Sequence, residues 1–90
     1  MSKEYKINFN DYSFPTEEGA YKGNLDFKMY GKKQNILAYI TLENGDKIIG
    51  AAYRDKDYLG LKDIELDTKI EVVFQTSKSG MNRLAEVNQI

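Results

Sequence analysis

Residues 36–53 read ILAYITLENGDKIIGAAY, and the register of this stretch decides the fold. Two apolar, β-prone runs flank Asn44-Gly45. Asn-Gly is the strongest short hairpin signal, because a type I′ turn needs positive φ at both central residues. With Asn44 and Gly45 as a two-residue loop, Ile40 faces Ile49, Ala38 faces Ala51 and Ile36 faces Tyr53 on one side. Thr41 then faces Ile48, Tyr39 faces Gly50 and Leu37 faces Ala52 on the other. The first set suits the interior of a curved sheet, where small residues let it close. The second set, with Leu37, Tyr39 and Ile48, is too apolar for plain surface. It is expected to lie under the lead-in NDYSFP, under a helical turn near Tyr58, or under a partner.

Outward from this hairpin, period two continues. In NLDFKMY, Leu25, Phe27 and Met29 share one face, which predicts a half-buried strand with those three toward the core. Gly31 to Asn35 is a polar turn. YRDKDYLGLKD loses the period and predicts one helical turn or short helix ending near Gly60, too short to stand without packing. TKIEVVFQTSKSGMNRLAEVNQI reads as a second hairpin turning at SKSG, with two or four loop residues. Either loop puts Ala85 and Val87 on the core face with Ile70, Val72 and Phe74. Residues 1–20 read as an extended lead-in around Pro15, with an extra strand over residues 5–9. Residues 21–90 read as a single small domain.

The predicted class is all-β with one short helix, a small antiparallel barrel of five to six strands. Five strands with a helix between the third and fourth are similar in element order to an OB-type barrel. An SH3-like barrel, whose helical turn falls between its last two strands, is the alternative, and an antiparallel sheet with one packed helix is the third.

Composition narrows the chemistry. The chain has no cysteine and no histidine, which removes disulfides, thiolate zinc sites, Ser-His-Asp triads and histidine switches. The paired carboxylates Glu17 and Glu18 sit in a loop with no facing partner, and GKK at residues 31–33 lacks the rest of a P-loop. DKD at residues 55–57 lacks the glycine and glutamate of a calcium loop. A non-enzymatic binding module without metal or cofactor is therefore expected. No apolar run approaches the ~20 residues of a membrane span, and the N-terminus has no apolar signal core, so the cytoplasm is the expected compartment.

Net charge is -1, which gives no global pull toward nucleic acid. Charge is uneven, however. Residues 22–33 hold four lysines against Asp26, and residues 55–71 hold six acids against three lysines. Seven tyrosines and four phenylalanines make rings the most suggestive feature. Single-stranded DNA or RNA binds by stacking bases on exposed rings, with cations reaching the phosphates. The OB-like resemblance implies a platform on strands two and three, flanked by the loops between strands one and two and between four and five. On this chain that platform comprises Tyr30 and Tyr39, with Lys32 and Lys33 on one side and Lys78 and Arg83 on the other. The competing expectation is a protein interface, either a partner or a homodimer, on Leu37, Tyr39 and Ile48 or on the acidic residues 55–71. The structural reading of any one tyrosine is simpler: β-strands are rich in it.

Overall fold

A computed structural model describes residues 8–78, 80 and 82–90. Five strands, Gly19–Tyr30 (β1), Asn35–Leu42 (β2), Lys47–Tyr53 (β3), Lys69–Thr76 (β4) and Asn82–Gln89 (β5), form one antiparallel sheet in the order β3-β2-β1-β4-β5. A 3₁₀ element, Arg54–Asp63, joins β3 to β4, and a 3₁₀ turn, Phe9–Asp11, precedes the sheet. No described helix is long and apolar enough to cross a membrane. Of the strand predicted over residues 5–9, only Asn8 and Phe9 fall within the described residues, and Ser79 of the SKSG turn falls outside them.

The expected barrel is not closed: among the described residues, no ladder joins β3 to β5. The sheet is nonetheless strongly curled. β1 gives its first half to β4 and its second half to β2. The two edge strands meet at Gly50, where an added Cβ would stand 2.6 Å from Leu84 Cγ and 2.9 Å from Phe74 Cζ. The bare backbone of β3 thus rests on side chains of β5 and β4. The lead-in ties both edges. Ser13 donates its N–H to Lys47 O (3.3 Å) and accepts from Ile49 N–H (3.0 Å) on β3. At the β4–β5 end, Asn82 Nδ2 donates to Pro15 O (2.6 Å) and Thr76 N–H to Glu18 Oε2 (3.0 Å).

Three registers differ from expectation. The Asn44-Gly45 turn has a three-residue loop: Leu42 N–H donates to Asp46 O and Gly45 N–H to Leu42 O. Asn44 Oδ1 accepts Asp46 N–H, and only Gly45 takes positive φ, at 95°. This is a tight turn followed by a glycine bulge, the usual three-residue hairpin. The pairing moves by one, so Ile40 faces Ile48, Ala38 faces Gly50 and Tyr39 faces Ile49. Ile48 therefore belongs to the core, 6% exposed, while Ile49 and Ala51 join Leu37 and Tyr39 on the outer face. A one-residue slip exchanges the faces of a whole strand.

The second difference is a bulge in β1 between Leu25 and Phe27, which pair with Ile40 and Tyr39. Asp26 is the extra residue. Its carboxylate accepts from Tyr12 OH (2.7 Å), Asn24 Nδ2 (2.8 Å) and Thr41 Oγ1. Leu25 stays in the core, but Phe27 and Met29 turn to the outer face, against the expected three-residue stripe. The third is a bulge in β5. Phe74 pairs with Leu84 and Val73 with Glu86, so Leu84 takes the core position expected of Ala85, while Val87 keeps its place opposite Val72.

The core fills from both halves: Leu25, Ile36, Ala38, Ile40, Ile70, Val72 and Phe74 are all at most 1% exposed. The helical segment sits between the third and fourth strands, as expected, but does not end at Gly60. Asp57, Tyr58 and Leu59 take φ of 54°, 53° and 54°, and Gly60 of 78°, which splits the element into turns on either side of a left-handed stretch. Such a conformation costs about 1–2 kcal/mol per L-residue. Burial of Leu61 and Ile64 offsets it, with Lys28 Nζ donating to Leu61 O (2.9 Å) and Ile64 O (2.5 Å).

Candidate functional site

The outer face that the sequence singled out is covered by the chain's own lead-in. Phe9 meets the Tyr39 ring edge-on at 5.0 Å between centroids, and Tyr12 does so at 5.2 Å and 88°. Phe27 completes the group at 6.4 Å from Tyr39 and 5.8 Å from Phe9. Tyr39 is left 6% exposed. No base can stack on its ring while residues 8–15 are seated. The Tyr12 hydroxyl is pushed up from its ordinary 10.0 to about 12, first by burial and then by its hydrogen bond to the Asp26 carboxylate. A phenolate there would lose water and face a negative neighbour.

The remaining predicted residues lie at the other end of the hairpins. Tyr30 is 68% exposed at the end of β1, Lys32 and Lys33 occupy the β1–β2 turn, and Lys78 the β4–β5 hairpin. Arg83 sits on β5 opposite Gln75, with its guanidinium carbon 5.2 Å from the centre of the Tyr53 ring. Of these, the fold brings Lys33 and Arg83 to one place: a cleft of about 560 Å³ where the β1–β2 turn, the end of β3, the start of the 3₁₀ element and the β4–β5 hairpin converge. Leu37, Tyr39 and Ile48 are not part of it.

The cleft adds residues that sequence reasoning missed. Arg54 and Lys56 line it beside Tyr53, and Asp55 is its single carboxylate. Four cations against one acid make a local charge of +3 in a chain of net -1. Arg54 N–H donates to Gln34 O (3.0 Å), which pins the 3₁₀ start beside the lysine turn. Among the described residues the one ion pair is Lys47–Asp11, at 4.0 Å, so none of the four cleft cations has a carboxylate partner. Arg54 and Lys56 lie in YRDKDYLG, where alternating acids hide them. The β2–β3 hairpin sets Arg54 beside the Lys33 turn, and the curl of the sheet brings Arg83 to them.

An open cleft of this size lies within the range of ligand sites, about 300–1,000 Å³. Cations converging from separate segments, with one carboxylate among them, give the cleft a positive field that attracts anions. Its walls also carry the apolar Leu59 and Leu84 and the Tyr53 ring. Compared with protein-family models, with curated proteins and with solved structures, the chain matches none.

Proposed function

We propose that this chain is a binding module for single-stranded nucleic acid, held in the basic cleft rather than on the Tyr39 face. The observation that carries the reading is the convergence of Lys33, Arg54, Lys56 and Arg83 on one cleft with no acid paired to any of them. Phosphate neutralisation supplies most of the affinity in sequence-independent binding. The connectivity supports the same reading. The sheet is not closed, but β1 shared between β2 and β4, with a helical segment between β3 and β4, is similar in element order to what an OB-type barrel would need, and we read it as one open along a seam. In such barrels the loops between strands one and two and between four and five flank the ligand; here the first brings Lys33, and Arg83 stands on β5 just after the second. The other reading, a partner or second copy docked on Leu37, Tyr39 and Ile48 or on the acidic residues 55–71, has less support on the apolar face, because Tyr39 is 6% exposed under the lead-in and Ile48 faces the core.

The test is titration of labelled single-stranded DNA and RNA at several salt concentrations. Four phosphate contacts predict a slope of about -3 in log K against log salt, at about -0.7 per contact for single strands. Lys33→Gln and Lys56→Gln should each weaken binding and make that slope shallower by about 0.7. Absence of binding at low salt refutes the proposal. Binding indifferent to both substitutions places the site elsewhere.

A further inference from the structure

We infer that Arg83, resting on Tyr53, is the platform on which this cleft stacks a nucleobase; the inference rests on the nucleic-acid reading above. The four cleft cations are not equivalent. Lys33 and Lys56 are mobile point charges, suited to phosphate. Arg83 is planar, and its guanidinium lies over the Tyr53 ring at 5.2 Å. Arg54 has no such ring contact among the described residues. Guanidinium planes stack bases as aromatic rings do.

The pair is held from both sides of the open seam. Tyr53 is half-buried at the end of β3 and paired with Asn35 of β2. Arg83 is fixed by the β4–β5 ladder opposite Gln75, and its side chain is exposed to the cleft. No ladder joins β3 to β5, so at the cleft this ring contact joins the packing of Leu84 on Gly50 in holding the two edges together. The guanidinium carbon stands 5.2 Å from the Tyr53 ring centre, the residue is exposed, and no carboxylate of the described residues pairs with it; in the inferred site the base stacks on the guanidinium face turned away from the ring. A base placed there would have its phosphates within the field of Lys33, Arg54 and Lys56. Such a site takes an unpaired base and rejects duplex, whose bases are already stacked on one another.

The experiment compares two labelled strands of equal length, one a single-stranded DNA and one the matching abasic strand with the same phosphates. The native chain should bind the base-bearing strand about tenfold or more tightly, in line with one stacked base. Arg83→Lys keeps the charge and removes the plane. It should collapse that ratio toward one while leaving the salt slope unchanged. Tyr53→Leu should reduce the ratio in the same direction, and thermal melts of both variants confirm that they are folded. Equal binding of the two strands by the native chain, or a ratio that survives Arg83→Lys in a folded protein, overturns the platform and leaves the phosphate reading standing. Failure to bind either strand at low salt overturns both.

Discussion

Gly50→Ala is the sharpest probe of how the sheet curls. Gly50 is buried, opposite Ala38, and a Cβ there would meet Leu84 Cγ at 2.6 Å, Leu84 Cδ1 at 2.7 Å and Phe74 Cζ at 2.9 Å. All three contacts are shorter than real Cβ atoms make. Leu84 is 7% exposed and Phe74 is 1%, so neither can swing into solvent. Two effects oppose each other. Restricting the unfolded chain favours alanine by about 0.4–1 kcal/mol, and overpacking a filled core costs about 1–3 kcal/mol. The clash should win, with a net loss of about 1–2 kcal/mol. For a domain this small that lowers Tm by about 4–16 °C. Urea and thermal melts measure it. Leu84→Ala alone should cost about 2–5 kcal/mol. Combined, the new methyl group occupies part of the space that Leu84 vacates, so the double variant should lose at least about 1 kcal/mol less than the sum. A Gly50→Ala protein as stable as the parent, or a strictly additive pair, refutes the close approach of β3 to β5.

Two further perturbations test the supports around the site. Lys28→Met removes the two hydrogen bonds by which Lys28 holds the end of the 3₁₀ element, to Leu61 O and Ile64 O. It should cost about 1–3 kcal/mol in urea melts and speed amide exchange across residues 57–64; unchanged exchange there would show that Lys28 does not hold the segment. For Tyr12, the folded value of about 12 lies above the ordinary 10.0. Its contribution is therefore complete below pH 10 and is lost as pH rises through 12. Stability measured from pH 9 upward should fall more steeply in the parent than in Tyr12→Phe, and parallel curves would contradict the Tyr12–Asp26 contact.

The sequence makes the strands, their order in the chain and the place of the helical segment legible, because period two and turn residues are local signals. It leaves the register of the first hairpin undecided for a physical reason. In DKIIGAAY, the doublets Ile48-Ile49 and Ala51-Ala52 offer an apolar residue to the core in either register. Alternation cannot choose between them. The choice is made by the turn, where Asn44 holds Asp46 N–H and leaves Gly45 alone at positive φ. The Asp26 bulge is equally hidden. NLDFKMY is a regular alternation as written, and besides its neighbour Asn24 it is Tyr12 and Thr41, 14 and 15 residues away, that give the Asp26 carboxylate its place. Lys33 and Arg83 are readable as loop and hairpin cations, whereas the meeting of Arg83 with Lys33, Arg54 and Lys56 depends on a curl that no local pattern encodes.

These two hidden features move the candidate site. Because Asp26 bulges, Phe27 turns outward beside Tyr39, and the outer face becomes aromatic enough to seat Phe9 and Tyr12. Four of the chain's eleven rings are thereby engaged with one another, so their number says little about stacking capacity. Four cations without a carboxylate partner, Lys33, Arg54, Lys56 and Arg83, gather at the seam that β3 and β5 do not close. A ladder across that seam would draw the two edges together where the cleft now lies. The open seam and the basic cleft are therefore one feature of the fold. A ligand that bridges Lys33 and Arg54 to Arg83 would supply, across the gap, the contacts that strand pairing leaves unmade.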